Sequence, residues 1–453
     1  MSYLEELNVK VKERTAKVAV IGLGYVGLPV ACVLASEGFH VVGVDIKDDR
    51  VDQINRKICP IEGEEPGLQD LLEKVIEDNK FTATVDYQKL RDVDICLIDV
   101  ETPIDKNHIP QYRALRSACE SLGEVMRDGT LVIVESTIAP GTIDQVVRPL
   151  LEKVSGKKSK QDFFLGACPE RVMPGKLLAN LHSMSRVCGG ETPQVAQVMA
   201  AFYRNIVDAD LDEADVVTAE VTKTAENAYR DVNIAFANEL ALICQSVGAD
   251  FIEVRKLVNK SPGRNVLFAG GGVGGHCIPK DPWLLAYGTK GQVDLRLIPA
   301  ARSVNDLMPL KIADMTTQAL QEANVSVEDA KVAILGYAYL EESDDIRNSP
   351  SQILVSVLKE RGMDVVVHDP YVKEFQSNVY ELIRDCNAII IMVAHQAYKD
   401  LDLTLIKKRL ANPFLIDARR VINPSAAENA GFRYYGIGLG ASRGGVEVKE
   451  KRV

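Results

Sequence analysis

One thiol stands out among the residues that could do chemistry. In Gly274-Gly275-His276-Cys277-Ile278-Pro279-Lys280-Asp281-Pro282, Cys277 ends a glycine-rich run, three residues before a lysine and four before a carboxylate. A nearby lysine lowers the pKa of a thiol, and the thiolate is the attacking species. Most free cysteines are buried spectators. The adjoining glycines expose main chain here and favour an accessible nucleophile. His276 is a base by residue type, but its place in the run reads as structural.

A second pattern is Gly22-Leu23-Gly24-Tyr25-Val26-Gly27. It follows the strand-like KVAVI (17–21) and opens a helical run from Leu28 to Ser36, stopped by Gly38. The next strand, HVVGVD, ends in Asp45. Glycines there allow a tight turn and bring a pyrophosphate close to a helix N-terminus. Asp45 can accept from both ribose hydroxyls and repels a 2′-phosphate, which favours NAD over NADP. Arg50 argues the other way, since an arginine can receive that phosphate. Gly436, Gly438 and Gly440 resemble this pattern superficially, but no helix follows and they read as loop. A dinucleotide site together with a cysteine nucleophile has a chemical meaning. An oxidation that continues past an aldehyde to an acid uses a thiol, because hydride leaves a thiohemiacetal and water cleaves the resulting thioester.

Weaker signals lie at three strand ends: Glu101-Thr102-Pro103, Ser136-Thr137 and Glu170. In an open parallel sheet all three reach the carboxyl edge, where ligands bind. Their hydroxyls and one carboxylate are expected to converge near the nicotinamide end. Lys223 and Asn227 share one helix face, with Asp231 a turn further. From spacing alone a solvated helix face is the plainer reading of that pair.

The elements that must position these groups are legible in the pattern. Strand-like runs at 94–100, 130–137 and 162–168 alternate with helical ones, which implies a parallel, doubly wound sheet. Gln194 to Val247 contains neither Gly nor Pro and reads as an all-helical segment with a long central helix, rich enough in apolar residues to form a dimer interface. From residue 331 the α/β texture resumes with KVAILGYAYL, DVVVHDP, AIIIMVAH and FLIDARRV. The expected architecture is α/β: two Rossmann-like doubly wound parallel-sheet domains joined by an all-helical dimerisation domain. The expected boundaries are 1–205 for an NAD-binding domain, 206–310 for the helical domain with the cysteine loop, and 311–453 for a smaller sheet domain. The tail from Gly440 is glycine-rich, then charged, and is expected to fray.

Composition narrows the partners. The 453 residues carry a net charge of −11, a poor basis for non-specific nucleic-acid binding. Nine irregularly spaced cysteines without C-x-x-C point to reduced thiols rather than disulfides or a zinc site. The N-terminus has no apolar core of a signal peptide, and the longest apolar runs are of strand length. A cytoplasmic location with no membrane partner is the expectation.

The motifs GLGYVGLP (22–29), ESTIAPGT (135–142), CPERVMPGK (168–176), KTAENAYRDVNIAFANE (223–239), GGHCIPKDP (274–282) and DDIRNSP (344–350) resemble the UDP-glucose/GDP-mannose dehydrogenase family over roughly residues 15 to 440. GGGVGGHCIP and PERVMPGK are most similar to the branch acting on UDP-N-acetylhexosamines, especially UDP-N-acetyl-D-mannosamine. The resemblance implies a four-electron oxidation of a C6 hydroxyl to a uronate with two NAD⁺ in sequence. It makes Cys277 the nucleophile. Lys223 and Asn227 stabilise an oxyanion, Asp281 and Thr137 orient water, and Glu170 assists hydrolysis. It assigns the dinucleotide to Gly22, Gly24, Tyr25, Val26, Gly27, Asp45, Arg50, Thr102, Thr137, Lys280 and Arg347. Substrate contacts fall on Glu170, Arg171, Val172, Lys223, Asn227, Arg264, Gly274 and Arg419, with Arg264 reaching the partner's sugar site in a homodimer.

One departure is visible. Where the family carries G-x-A-F-K, this chain reads Gly336-Tyr337-Ala338-Tyr339-Leu340-Glu341, so a cation is missing and an acid follows. Arg419 is positioned in sequence to replace that charge. Alternative substrates are UDP-glucose, UDP-N-acetylglucosamine and UDP-N-acetylgalactosamine. Two other readings remain: a two-electron 2-hydroxyacid or 6-phosphogluconate-type dehydrogenase, and a catalytically silent sensor of NAD or nucleotide sugars.

Overall fold

The computed structural model describes residues 2–61, 65–172 and 175–440. The tail expected to fray, 441–453, and Met173-Pro174 of the PERVMPGK loop lie outside the described residues. The chain divides into two compact units, Met1–Asn227 with Lys280–Asp294, and Ala228–Pro279 with Leu295–Val453.

The first unit is built on eight strands: β1 Lys17–Ile21, β2 His40–Val44, β3 Phe81–Thr84, β4 Ile95–Ile98, β5 Leu131–Val134, β6 Phe164–Ala167, β7 Arg186–Gly190 and β8 Leu211–Asp215. Their order is β3-β2-β1-β4-β5-β6-β7-β8, parallel except for the β6–β7 pair. Side chains alternate across the strands. Val18 and Val20 of β1 enter one apolar layer with Ile95 and Leu97 of β4. Ala19 and Ile21 enter the opposite layer with Cys96 and Ile98. Burial on both faces is what a parallel sheet covered by helices requires, and each fully buried Val, Leu or Ile contributes about 1.5–3 kcal/mol. The order reverses between β1 and β4, so the ligand crevice opens outside their carboxyl ends.

The segment from Gln194 is not wholly helical. A helix ends at Tyr203, and β8 then pairs in parallel with β7, Arg186 opposite Leu211 through Gly190 opposite Asp215. LDEAD has no apolar alternation, so its side chains give no strand signal. Main-chain pairing at the sheet edge makes it a strand. Asp215 then starts the long helix Val216–Val247, accepting from Thr218 N at 2.9 Å and Thr218 Oγ1 at 2.6 Å.

The second unit carries β9 Lys331–Leu335, β10 Asp364–His368, β11 Ala388–Ile391, β12 Phe414–Asp417 and β13 Arg433–Gly436, all parallel, in the order β10-β9-β11-β12-β13. This is the smaller doubly wound sheet expected from the sequence, with its reversal between β9 and β11. Helices Leu297–Glu322 and Pro350–Glu360 pack on it.

Candidate functional site

The glycine turn sits at the β1–β4 reversal. Gly22 has φ +96°, and a Cβ there would stand 2.5 Å from Asp99 O. A Cβ on Gly27 would stand 1.9 Å from Gly22 O. Only glycine fits either position, and the helix Gly27–Ser36 begins at once, capped by Val26 without a side-chain bond. Leu28 N donates to Gly24 O at 3.2 Å and Pro29 has no N–H, so the main chain of the turn ahead of the helix is what offers a cradle for a diphosphate. Asp45 accepts from Leu23 N at 3.0 Å, Lys47 N at 3.0 Å and Arg50 NH1 at 2.9 Å. Arg50 therefore pairs with Asp45, the ion pair lying beside Gly24. This set fits a dinucleotide. Tyr25 adds a link that spacing did not suggest: its hydroxyl donates to Glu65, which also accepts from Gly175 N at 2.7 Å and Leu177 N at 3.2 Å. The nucleotide turn is thereby tied to the end of the PERVMPGK loop.

The strand-end hydroxyls do not all face a ligand. Thr102 Oγ1 donates to Thr137 O at 2.6 Å, and Ser136 Oγ donates to Val100 O at 2.7 Å and Ile98 O at 3.2 Å. Orphaned carbonyls at the strand ends capture them, so Thr102 and Ser136 brace the loops instead of converging as free donors. Lys280 Nζ donates to Thr102 O at 3.2 Å and faces Asp281 Oδ1 at 3.1 Å. Asn227 Nδ2 donates to Asp281 Oδ2 at 2.5 Å. Thr102, Lys280, Asp281 and Asn227 thus form one connected set. Lys223 is half-buried one turn earlier on the same face. Asn227 is bound to a fully buried carboxylate, so this is not the solvated face that spacing allowed.

Glu170 Oε1 accepts from Arg171 N at 2.7 Å, and its Oε2 faces Arg186 NH2 at 2.7 Å. Arg171 itself pairs with Glu226 at 2.7 Å and donates to Ser185 O at 2.8 Å, which leaves half-buried Val172 packed on the core. Sequence reasoning missed Arg186, Glu135 and Asp99, which lie beneath this loop. Arg186 NH1 meets Glu135 Oε1 at 3.2 Å, and Tyr203 OH donates to the same oxygen at 2.6 Å. Burial pushes Asp99 and Glu135 above the usual carboxylate range. Nothing in the local pattern marks this cluster. The only signal is an acid directly after each of two buried strands.

In the second unit the cysteine loop is held from both sides. Gly275, at φ +88°, donates to Arg347 O at 2.9 Å, and its carbonyl accepts from Asn348 Nδ2 at 3.1 Å. The Tyr339 ring covers the glycines: a Cβ on Gly275 would stand 2.8 Å from Tyr339 Cε2, and one on Gly274 2.5 Å from Tyr339 Cβ. The tyrosine that departs from the family pattern is therefore the wall of this loop. Burial, then Asp345, pushes the Tyr339 phenol up to about 12. Arg347 forms a bidentate pair with Asp345, at 2.9 and 2.6 Å. Further back, Gly270 N donates to Asn238 Oδ1 at 2.9 Å; Asn238 bonds Asn305, and Asn305 and Arg302 bond Asp231. Arg419 lies against Gly270 and reaches Glu341 at 3.2 Å, so the acid and the arginine that the sequence set apart are partners. Arg264 is exposed on its loop and bonds Pro262 O. All nine cysteines are described: seven are buried, Cys59 is half-buried, and Cys277 is exposed.

A cleft of about 480 Å³ in the first unit, lined by Tyr112, Arg116, Thr142, Gln145, Tyr287 and Lys290, holds none of the predicted catalytic residues. No described helix is long and apolar enough to cross a membrane.

Three domains of the UDP-glucose/GDP-mannose dehydrogenase family match this chain: the NAD-binding domain at residues 16–207, the central domain at 217–307 and the UDP-binding domain at 333–424. The chain belongs to that family. It is an NAD-dependent nucleotide-sugar dehydrogenase. UDP-N-acetyl-D-mannosamine dehydrogenase of Pyrococcus horikoshii is 37% identical over 424 residues, 94% of this chain and 99% of its own. The solved structure of UDP-D-ManNAc dehydrogenase from Pyrococcus horikoshii superposes with a TM-score of 0.88 at 36% identity, covering 93% of this chain and 99% of that one. NDP-N-acetyl-D-galactosaminuronic acid dehydrogenase from Methanosarcina mazei Go1 gives 0.86 at 36% identity, covering 97% and 98%. These two family members thus carry names of different sugars.

Proposed function

We propose that this dehydrogenase oxidises the C6 hydroxyl of a UDP-N-acetylhexosamine, best read as UDP-N-acetyl-D-mannosamine, to the uronate. Two NAD⁺, bound in sequence, would supply the acceptors, one for each hydride. The C6 alcohol loses a hydride and a proton to become an aldehyde. The Cys277 thiolate adds to that carbonyl, and the thiohemiacetal loses a second hydride to leave a thioester. Water cleaves the thioester and frees the thiol. Lys223 and Asn227 donate to the developing oxyanion, Asp281 with Thr137 orients water, and Glu170 assists its attack. Groups in such roles are typically worth ~10²–10⁴ in rate each. The observation that carries the reading is that Cys277 is the exposed thiol of nine, on a loop gripped at Gly275.

The sugar is read from the relatives named for UDP-N-acetyl-D-mannosamine. On this reading residues 1–205 serve NAD, 206–310 the dimer and the cysteine loop, and 311–453 the UDP-sugar, with Gly274, Arg171, Val172 and Arg419 at the substrate and Arg347 near NAD. A homodimer is supported by the long helix. Tyr229, Phe236 and Ile243 recur every seven residues with 72%, 55% and 51% of their surface exposed, and Val247 follows at 67%. A stripe of that length asks for a second copy, and Arg264 would then reach the partner's sugar. A cytoplasmic location follows from its use of NAD and a UDP-sugar.

The deciding experiment supplies UDP-N-acetylmannosamine, its glucosamine and galactosamine counterparts, and UDP-glucose, and counts NADH per sugar. Two NADH are expected with the mannosamine substrate. Cys277→Ser is expected to stop acid formation; full turnover by that variant sinks the covalent route.

A further inference from the structure

Beneath the dinucleotide turn the first unit buries more carboxylate than its one guanidinium can answer. In the parallel β4–β5 pair Ile98 stands opposite Val134, so the next residues, Asp99 and Glu135, lie side by side on one face. Glu135 N still donates to Ile98 O at 3.1 Å, which continues the register past the strand end. Glu135 Oε1 is occupied by Arg186 at 3.2 Å and Tyr203 at 2.6 Å, and the other end of Arg186 faces Glu170 at 2.7 Å. That leaves Glu135 Oε2 and Asp99 Oδ2. Both are sealed from solvent, and among the described residues no N–H or O–H reaches either.

Two acceptors side by side without a donor cannot both stay ionised. One proton between them turns a repulsion into an O–H···O⁻ bond. Burial and then the charge of Glu135 hold Asp99 well above the ordinary carboxyl range. The charged or titratable groups around the pair are Cys96 on β4, Cys168 and Glu170 after β6, Arg186 and Cys188 on β7, and Tyr203 on the helix Pro193–Tyr203. The turn above contributes Gly22 and Gly27, which carry no charge. A Cβ on Gly27 would stand 3.0 Å from Asp99 Cβ, so Asp99 packs directly under the cradle for the diphosphate.

We propose that Asp99 and Glu135 share a single proton, and that this proton is a determinant of NAD binding because it leaves one negative charge instead of two beneath the dinucleotide phosphates. Asp99 is then a positioning residue that acts through Glu135 and the glycine turn. The inference rests on NAD binding alone and stands whatever the sugar or the thioester route.

The test is NAD affinity without sugar, measured by calorimetry on the full chain from neutral to alkaline pH. The wild-type affinity is expected to fall at the alkaline end with a slope approaching tenfold per pH unit, the limit for one proton. Asp99→Asn keeps an N–H toward Glu135 and cannot lose it, so its affinity is expected to stay within about twofold over the same range. Infrared spectra supply a readout that needs no variant to fold: the wild type is expected to show the carbonyl stretch of a buried neutral carboxylic acid at neutral pH. An Asp99→Asn protein with the wild-type slope, or a wild-type spectrum without that band, overturns the proposal.

Discussion

Asn227 Nδ2 donates to Asp281 Oδ2 across 2.5 Å, joining the long helix Val216–Val247 to the first residue of the helix Asp281–Gly288. Asp281 is fully buried and its second oxygen faces the Lys280 amine. Asn227, Lys280 and Asp281 are thereby linked within the dinucleotide-binding unit through one carboxylate. Asp281→Ala leaves the Asn227 amide without its acceptor and the Lys280 ammonium, still bonded to Thr102 O, without its counter-charge, a loss of about 1–3 kcal/mol in urea unfolding. Turnover is expected to fall ~10²–10⁴-fold. Asp281→Asn should recover the fold more fully than the rate; equal recovery of both removes Asp281 from the chemistry.

Gly27 is fixed by contact. With a Cβ 1.9 Å from Gly22 O, Gly27→Ala must push the turn open. NADH titration by fluorescence should show affinity weakened by at least about 1.4 kcal/mol, a factor of ten. Unchanged affinity would detach this turn from the dinucleotide.

Gly275 carries two constraints, the positive φ and the Tyr339 ring. Gly275→Ala should cost about 1–3 kcal/mol from φ alone, with the ring clash added. In a Tyr339→Ala background the clash disappears, and the remaining cost should be smaller by about 0.5–3 kcal/mol. Additive costs in the double variant would show that the ring does not press on the loop.

Glu220 accepts from Gly141 N at 2.5 Å and Ile143 N at 3.0 Å, yet burial raises its pKa from 4.5 to about 7. The unfolded chain gives up this proton first. The stability that Glu220 contributes is therefore complete below 4.5 and is lost as pH rises through about 7. The total is on the order of 3 kcal/mol. Urea midpoints should fall between about pH 5 and pH 8, and the Glu220→Gln protein should lose most of that slope.

The stripe on the long helix predicts the oligomer. Phe236→Glu places a charge at the middle of Tyr229, Phe236 and Ile243. Light scattering is expected to find a dimer for the wild type and a monomer for the variant, because an unpaired charge in an apolar interface is strongly disfavoured. A wild-type monomer at every concentration rejects the interface.

Local pattern was enough for the parts of this protein that obey a local rule. The glycine turn between KVAVI and Leu28, Asp45 at the end of the next strand, the long helix after Val216 and the second parallel sheet all follow from periodicity and residue type, since period, turn chemistry and burial agree along the chain. The exposure of the Cys277 thiol was legible for the same reason: the five glycines of GGGVGG just before it carry no side chains to bury it.

Tertiary structure alone decided what depends on neighbours far apart in the chain. LDEAD became β8 because β7 offered unpaired main chain, against its own side-chain pattern. Thr102 and Ser136 turned inward because strand-end carbonyls needed donors. Tyr339, which in the sequence was only the absence of an expected motif, proved to be the wall of the cysteine loop. The Asp99, Glu135 and Arg186 cluster came together because parallel register sets Asp99 beside Glu135, and β7, across the antiparallel pair, brings Arg186 to them in a medium too poor in water to screen the charges. A sequence states which groups a chain owns, whereas the charge a buried carboxyl carries depends on the burial and the partners that only the fold supplies.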